Sequence, residues 1–429
     1  MGGNVVILGA GAAGVAAGLA LAERRTAFQI LERDSAPGGL AASDLIDGFS
    51  FDRTGHVLHF KLPHVRDRFQ RAGIPLEPIQ QRAAVLLGDR EIPCPFQYNL
   101  WALRSPAQAR SIVAEMTRTS PNGTADGSTF ADRLVSLWGE RAVALFFRPY
   151  NEKLWGRPLE ELPSDCAGRY LPRADTALAA RGVRSKVPAN GYNSTFFYPA
   201  SGRLGDLITA LAQSIRGRIR CGVEVETVDL ERRELRTTDG AAIPYGRLIS
   251  TIPLGRLVSM AGLPRPSRDL FASTEIVNIR VGIRGRLRTR YHWVYVPDEG
   301  LPFHRVGFPR NVNRHTCPDG YASLSIEHTI ANGGRRISTP AIADQALEHL
   351  SDRGLIEVEE RVLLAERSIS PAYVVRRAPG RAAFGELERT LRHHGVWLAG
   401  RFGTWDYLSI EEAFDSGERA GRACVGEAR

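Results

Sequence analysis

The stretch VVILGAGAAG, residues 5–14, decides the fold. Its first four residues are all apolar, which predicts a short strand buried on both faces of a sheet. Gly9, Gly11 and Gly14 follow with the spacing G-x-G-x-x-G. In this pattern the first glycine permits a tight turn, the second lets a pyrophosphate approach the backbone, and the third lets the next helix pack closely on the strand. The stretch therefore predicts a dinucleotide-binding turn.

The sequence that follows these glycines strengthens the prediction. The segment VAAGLALAERR, directly after Gly14, has the small residues of a closely packed helix, and residues 27–31 predict a second buried strand. Glu32 ends that strand, where an acidic side chain accepts hydrogen bonds from a ribose 2′-hydroxyl. The glycine pattern alone also fits an ordinary strand–helix turn, but the strand, the helix and the acidic residue together predict a Rossmann-like unit.

The composition of the chain limits the kinds of partner and substrate that it can have. The chain has 429 residues, of which 43% are hydrophobic and 24% charged, and this is typical of a globular protein of two or three domains. Its net charge is +9, but it has only three lysines, and its arginines are scattered rather than clustered in runs. We therefore expect no nucleic-acid partner. An anionic small-molecule substrate remains open, because arginine binds phosphate groups through paired hydrogen bonds.

The cysteines indicate a reducing environment. There are five, far apart in the sequence, and they form no C-x-x-C pair or cysteine–histidine cluster with metal-ligand spacing. The apolar N-terminal stretch lacks a basic leading region, and no other stretch is long and apolar enough to cross a membrane. The sequence thus predicts a cytoplasmic protein without a metal site or a membrane partner.

The order of patterns along the chain predicts an α/β fold with a discontinuous dinucleotide-binding domain. The strand–helix pattern stops, resumes and closes, which assigns residues 1–75, 196–270 and 386–429 to that domain. Residues 100–195 read as a helical insertion. Residues 273–328 read as strands whose alternation of apolar and polar residues predicts an antiparallel β-sheet with one face open to a ligand. Residues 76–99 and 271–385 are assigned to this sheet domain.

Two segments outside the first motif are candidate site elements. Gly38 and Gly39 follow the second strand directly, so their backbone amides can approach another part of a bound dinucleotide. His56 follows Gly55 at the end of FSFDRTGH and is predicted to lie in a loop beside the cofactor. The aromatic run FFRPYNEKLW, residues 146–155, fits a packing cluster at a domain interface at least as well as a binding site.

Several longer segments together resemble the UDP-galactopyranose mutase family, especially its eukaryotic-type branch, within the FAD-dependent amine-oxidase-like superfamily. The motif GAGAAG, Glu32 and the Gly38–Gly39 pair are similar to the whole superfamily. More specific segments occur in the family's order between residue 9 and about residue 420: GGLAASDLIDGFSFDRTGHV, PCPFQYN, FFRPYNEKLWGRP, NSTFFYPASG, YVPDEGLPFHR and GRFGTWDYLSIEEAFDSG.

The resemblance implies a GR2-type FAD-binding domain and an isomerase that is active only with reduced FAD. In that family, flavin N5 attacks the anomeric carbon of a nucleotide-diphosphate pyranose and forms a covalent flavin–sugar adduct, and ring opening and reclosure then give the furanose. NAD(P)H is the external reductant that the family implies, and the partner is a nucleotide-diphosphate sugar. Whether the chain forms a homo-oligomer is open. The alternative function is an FAD-dependent oxidoreductase of the amine or protoporphyrinogen oxidase type.

The resemblance also implies site residues. His56, beside the flavin ring, and Arg305, on the diphosphate, would be catalytic. The cofactor would be bound by Gly9, Gly11, Ala13, Gly14, Glu32, Arg33, Gly38, Gly39, Leu40, Gly55, His56, Val225, Gly400 and Arg401. The substrate would be bound by Phe96, Gln97, Asn151, Trp155, Arg169 or Tyr170, Asn193, Tyr295, Arg305, Tyr373 and Tyr407.

Two positions depart from the family pattern. Cys94 precedes Pro-Phe-Gln, and Glu152 follows Pro-Tyr-Asn, where the family often has aromatic residues that hold uracil. The sequence therefore leaves both the base and the sugar open.

Overall fold

The computed structural model describes residues 4–118, 129–168, 171, 174–188, 194–264, 268–331, 334, 336–375 and 380–426. The strands in these residues are β1 (Val5–Leu8), β2 (Phe28–Glu32), β3 (Ser43–Ile46), β4 (Phe49–Asp52), β5 (Leu76–Gln80), β6 (Ala83–Leu87), β7 (Arg90–Pro93), β8 (Thr195–Pro199), β9 (Ile219–Cys221), β10 (Val225–Asp229), β11 (Glu234–Thr237), β12 (Ala242–Pro244), β13 (Arg247–Ser250), β14 (Glu275–Leu287), β15 (Trp293–Tyr295), β16 (Arg305–Gly307), β17 (Tyr321–Ile330), β18 (Ile356–Ile369) and β19 (Val396–Leu398).

The helices in the same residues are α1 (Ala12–Glu23), α2 (Pro63–Arg71), α3 (Pro106–Arg118), α4 (Phe130–Ala142), α5 (Arg148–Trp155), α6 (Thr176–Arg181), α7 (Leu204–Ala212), α8 (Leu254–Met260), α9 (Pro309–Val312), α10 (Thr339–Asp352), α11 (Gly380–His393), α12 (Gly400–Gly403) and α13 (Ile410–Cys424). None of them combines the length and the apolar composition that crossing a bilayer would require.

The first predicted strand is the central strand of a parallel sheet. The sheet has the order β19-β13-β1-β2-β9, and all its neighbours run parallel. All four residues of β1 are buried, as the apolar run predicted. Because α1 leaves the carboxyl end of this central strand, the crevice for a ligand lies where β1, β2 and β13 end.

The second large sheet has the order β18-β14-β17-β16-β15-β6-β7. Most of its pairs are antiparallel, as the alternating sequence predicted, but β15 and β6 run parallel. The parallel pair arises because the β6–β7 hairpin comes from a much earlier part of the chain and joins the sheet beside β15. The α/β fold class is confirmed.

The helical region between residues 100 and 195 has its own apolar core around Trp138 and Phe147. Helix α4 begins with a capping box in which Thr129 and Asp132 exchange hydrogen bonds. Its path bends at Gly139, which has a positive φ of 75°. A π-helical turn, Val143–Phe147, then leads into α5. The predicted polar loop at residues 120–128 lies outside the described residues.

The last helix packs on the first one. Ser409 and Glu412 form a capping box at the start of α13. A Cβ on Gly417 would lie 2.0 Å from the Ala13 carbonyl oxygen, and one on Gly421 would lie 2.7 Å from the Ala17 carbonyl oxygen. These glycines let the backbones of α13 and α1 meet directly.

Two of the longer elements, β18 and α11, were not predicted as individual elements from the sequence. Strand β18 forms the edge of its sheet, and half of its residues are exposed. Its sequence, IEVEERVLLAERSI, alternates only at its start and then changes to a short apolar run between charged residues, so neither strand pattern continues along it. The domain boundaries stay a prediction, and β5 and β8 pair with each other across two of the predicted domains.

Candidate functional site

A long cleft follows the carboxyl ends of the parallel strands. It encloses about 1500 Å³, including its open mouth. The predicted cofactor residues that line it are Gly9, Gly11, Ala13, Glu32, Arg33, Gly38, Gly39, Leu40, His56, Val225, Gly400 and Arg401. Gly14 lies beneath the cleft rather than on its wall, and Gly55 lines the neighbouring pocket.

The glycines of the first turn have three different environments. Gly9 has a φ of +94°, which only a glycine adopts without strain. A Cβ on Gly14 would lie 1.8 Å from the Gly9 carbonyl oxygen, so this position must be glycine for α1 to pack on β1. A Cβ on Gly11 would meet nothing closer than 3.8 Å. The backbone of Gly11 therefore faces open space at the start of α1, where an anion can approach.

Glu32 is buried at the end of β2 and organises the turn around it. One carboxylate oxygen accepts the Ala10 amide at 2.7 Å, and the other accepts the Asp34 amide at 2.9 Å. Each carboxylate oxygen has a second lone pair, so both can still accept a hydroxyl from the cleft. The residue thus has a structural role and keeps the capacity to bind a ribose.

A second pocket opens from one end of this cleft. The two cavities share Leu40, His56, Ile369, Arg401, Ser409 and Ile410. We call the second cavity the arginine–tyrosine pocket after five of its lining residues: Tyr295, Arg305, Glu327, Tyr373 and Tyr407. Four of these were predicted from the sequence, and Glu327 was not.

Arg305 and Glu327 face each other across neighbouring strands, because they are register partners in β16 and β17. Arg305 Nε donates to Glu327 Oε2 at 3.0 Å, and Nη2 donates to Oε1 at 2.5 Å. Burial would raise the pKa of Glu327, but the charge of Arg305 outweighs it and holds that pKa well below the usual range. Both groups are therefore ionised, and the two hydrogen bonds to Glu327 fix the orientation of the Arg305 guanidinium.

His56 lies against this ion pair as a neutral imidazole. Burial, reinforced by the charges of Arg401 and Arg305, lowers the pKa of His56 to about 3. The Thr54 hydroxyl is hydrogen-bonded to Nδ1 of the ring. A Cβ on Gly55 would lie 2.7 Å from Arg305 Nη2, so the glycine before His56 lets the ion pair approach the loop backbone.

Aromatic rings pack around and behind the tyrosines of the pocket. The ring centroids of Tyr373 and Tyr407 are 5.4 Å apart, and Trp155 lies 5.7 Å from Tyr373. The guanidinium carbon of Arg401 is 4.9 Å from the centre of the Tyr407 ring. Tyr150, which the sequence analysis did not select, lies 5.1 Å from Tyr295. The aromatic run around Tyr150 was the available signal, and it was interpreted as packing.

Lys153 was also missed, and it fixes the segment between Tyr295 and Arg305. Its ammonium group donates to the carbonyl oxygens of Val296 at 2.8 Å and Asp298 at 2.7 Å. Burial lowers its pKa to about 8. These hydrogen bonds attach α5 to the loop between β15 and β16, the strands that contain Tyr295 and Arg305.

Some predicted substrate residues lie away from the pocket wall. Phe96 is buried in the helical core, with its ring 4.9 Å from that of Phe146, and Gln97 beside it is buried too. Asn151 donates to the Phe147 carbonyl oxygen at 2.6 Å. Trp155 is buried directly behind the tyrosines. Arg169, Tyr170 and Asn193 lie outside the described residues.

The arginine–tyrosine pocket suits a ligand in which a small anionic group lies next to an apolar group. A guanidinium fork and several phenol groups converge at the end of the dinucleotide cleft, and such donors bind phosphate oxygens strongly. Among the described residues, no group of three histidine, cysteine, aspartate or glutamate side chains could hold a metal ion.

Comparisons with known proteins identify the family of the chain. Residues 12–425 match the family described as flavin containing amine oxidoreductases. A Klebsiella pneumoniae protein described as a "Probable UDP-galactopyranose mutase" is 24% identical over 188 residues, which are 40% of this chain and 45% of that protein. The matched part is thus less than half of that relative.

Solved structures show the same fold over nearly the whole chain. A crystal structure of reduced UDP-galactopyranose mutase superposes with a TM-score of 0.90 at 22% identity, covering 99% of this chain and 96% of that one. A structure from Exiguobacterium sp. 255-15, provisionally described as a protoporphyrinogen oxidase, has a TM-score of 0.75 at 16% identity and covers 98% of both chains.

Proposed function

This chain belongs to the family of flavin containing amine oxidoreductases, and from that premise we propose that it is a flavin-dependent sugar-nucleotide mutase. It would bind FAD in the long cleft and interconvert a nucleotide-diphosphate pyranose and its furanose in the adjoining arginine–tyrosine pocket. The fold that the chain shares with reduced UDP-galactopyranose mutase supports this assignment.

The residues of the cleft fit FAD. The backbone turn at Gly9–Gly11 and the Gly38–Gly39 turn lie against each other, since Gly38 donates its amide to the Ala10 carbonyl oxygen at 2.9 Å. Together with the start of α1 they would receive the pyrophosphate, and Glu32 would receive the adenosine ribose. When bound and reduced, the flavin supplies a nucleophile for the anomeric carbon of the sugar.

The observation that carries the proposal is the anion site at the flavin end of the cleft. Arg305 is held by Glu327 and flanked by Tyr295, Tyr373 and Tyr407. A departing nucleotide diphosphate gains negative charge, and preorganised donors stabilise that charge without rearranging. An oxidase of an apolar substrate has no use for such donors.

The chain's own residues divide the remaining work. Glu327 orients the Arg305 fork, and the tyrosine hydroxyls donate to phosphate oxygens. His56 stays neutral, so it can donate or accept a hydrogen bond beside the flavin without adding charge. A Thr54 hydroxyl that donates to Nδ1 of this ring leaves the ring proton on Nε2.

The finer assignments are part of the same proposal. Arg169 or Tyr170, with Asn193, would complete the diphosphate and sugar contacts. Phe96, Gln97 and Trp155 are buried, so they would support the substrate pocket from behind. NAD(P)H is the proposed external reductant, and a cytoplasmic location is proposed. The sugar and the base are left for experiment.

The test is turnover by FAD-loaded protein reduced with dithionite, on a panel of UDP-, GDP- and dTDP-pyranoses. Products are separated by anion-exchange chromatography and identified by NMR of the anomeric proton. We expect a furanose that appears only under reducing conditions. No conversion of any member, together with bleaching of the oxidised flavin by an amine or another reduced substrate, would establish the oxidoreductase alternative instead.

A further inference from the structure

The middle of the dinucleotide cleft contains a group of charged residues that the glycine motif does not explain. We call it the arginine cluster: Arg53, Arg280 and Arg367, with Asp34 and Asp44. Arg53, Arg367 and Asp34 line the cleft together with the Gly38–Gly39 turn. Arg280 lies behind them and is buried.

The short contacts in the cluster belong to Arg53 and Arg280. Arg53 Nη1 lies 2.6 Å from Asp34 Oδ2 and donates to the Gly39 carbonyl oxygen at 3.0 Å. Arg280 Nη2 lies 2.8 Å from Asp44 Oδ2. Each carboxylate therefore already has a close cationic partner, and Arg53 is anchored to the glycine turn itself.

Arg367 makes longer contacts with the same two oxygens. Its Nη1 lies 3.3 Å from Asp44 Oδ2, and its Nη2 lies 3.9 Å from Asp34 Oδ2. Burial, with repulsion from Arg53, lowers the pKa of Arg367. Its side chain is 33% exposed, toward the cleft that it lines. A guanidinium has five N–H donors, so Arg367 is oriented by the two carboxylates and still has donors for a ligand.

The position of Arg367 along the cleft indicates which part of a bound dinucleotide lies beside it. Glu32 and Val225 line the cleft away from the second pocket, whereas His56 and Arg401 line both cavities. The Gly38–Gly39 turn lies against Gly11 at the start of α1, between these two ends. A dinucleotide that spans the cleft therefore places its diphosphate here. Helix α1 has no acidic residue in its first turn and no basic residue in its last turn. At its start it therefore offers backbone amides to the diphosphate.

We propose that Arg367, oriented by Asp34 and Asp44, donates hydrogen bonds to the diphosphate of the dinucleotide cofactor. The two negative charges of the diphosphate would then be bound from opposite sides: the backbone amides of α1 on one side and the Arg367 guanidinium of β18 on the other. The inference rests on the proposed FAD site but not on the proposed mutase reaction.

The experiment compares Arg367→Gln with Arg361→Gln. Arg361 is a matched control, because it lies on the same strand with 32% of its side chain exposed and pairs with Asp344 away from the cleft. Flavin is removed from each protein, and the Kd values for FAD and for riboflavin, which lacks phosphate, are measured by fluorescence titration. We expect Arg367→Gln to weaken FAD binding about tenfold, as the loss of a charge-assisted hydrogen bond implies, and to leave riboflavin binding within twofold. Arg361→Gln should change neither.

Each other outcome has a fixed meaning. FAD affinity within twofold of wild type, or an equal loss for FAD and riboflavin, would overturn the assignment to the diphosphate. Should Arg367→Gln fail to fold, Arg367→Lys keeps the charge and loses the fork, and its FAD affinity should fall selectively but less. A wild-type protein that does not bind FAD would overturn the proposed FAD site as well, whereas FAD binding without turnover would leave this inference standing.

Discussion

The dinucleotide cleft is made largely of backbone, whereas the arginine–tyrosine pocket next to it is made of side chains. The cleft depends on where a Cβ is missing, as at Gly14 and Gly39. The pocket depends on where charged and aromatic groups converge from segments far apart in the sequence, as at Arg305 and Tyr373. The first kind of site fails through steric overlap, and the second through lost charge or lost donors. Substitutions should separate these two modes of failure.

The largest effect on flavin binding is expected from Gly14→Ala. The new Cβ would lie 1.8 Å from the Gly9 carbonyl oxygen, and both groups belong to the backbone, so α1 must move away from β1. We expect about 3 kcal/mol of lost stability and a protein purified without flavin. The denaturant midpoint and the ratio of flavin to protein absorbance measure this. Gly217→Ala is the control, because a Cβ there meets nothing within 4 Å. Equal behaviour of the two variants would contradict the steric argument.

Arg305→Ala should break the pocket while sparing the cleft. We expect nucleotide-diphosphate binding to weaken more than tenfold and FAD binding to change much less, as calorimetry on the FAD-loaded protein can show. The variant also leaves Glu327 buried without its cation, which costs about 3–5 kcal/mol. Adding Glu327→Gln should therefore restore much of the stability without restoring nucleotide binding. An equal loss of both ligands would indicate misfolding or a wrong assignment.

His56→Ala tests the loop that belongs to both cavities. We expect turnover to fall about tenfold, because a hydrogen-bonding group beside the flavin is lost, and nucleotide binding to stay largely intact. Steady-state kinetics on the reduced enzyme and calorimetry with the nucleotide diphosphate separate the two effects. Unchanged turnover would remove His56 from the active site.

Removing single hydroxyls from the pocket should have smaller effects. Tyr373→Phe and Tyr407→Phe each delete one donor and keep the ring packing, so nucleotide-diphosphate binding should weaken about fivefold, and FAD content should not change. Tyr245→Phe, on the separate β10–β12 sheet, is the control. If the control weakened nucleotide binding as much as the other two, the hydroxyls would not be acting locally.

The smallest effect concerns pH. The pKa of His56 is about 3 in the folded chain and about 6.5 when unfolded, so between these values the unfolded chain binds more protons. Stability from this residue is therefore lost as pH falls below about 6.5. Denaturation at pH 7 and pH 5 should show the wild type losing up to about 2 kcal/mol more than His56→Ala, and solvent in the cleft beside the ring lowers that figure. Asp52, whose burial raises its pKa to about 6, is present in both proteins and cancels. If the wild type and His56→Ala lost the same stability between pH 7 and pH 5, His56 would not be a neutral imidazole with a lowered pKa in the folded chain.

The cleft was predictable because its determinants are local. The glycine spacing, the buried strand and Glu32 are each readable within about thirty residues, since backbone conformation depends on near neighbours. The fold class followed from the same pattern. The sequence could not show that α13 would pack on α1, although its glycines are visible in retrospect.

The pocket was predictable only in part. Arg305, Tyr373 and Tyr407 came from family resemblance, and the structure brings them together. Glu327 was missed because its role depends on strand register, which no local pattern specifies. A buried arginine needs a counter-ion, and that requirement is the signal that could have led to it. Tyr150 was missed because an aromatic run reads the same in a core and in a binding wall.

The packing of α13 on α1 also ties the cofactor cleft to a helix far away in the sequence. Gly417 and Gly421 meet Ala13 and Ala17 through direct backbone contact. Gly400 and Arg401 line the cleft together with Gly9 and Gly11. Any local opening that lifts α13 from α1 would therefore also loosen the start of the dinucleotide turn.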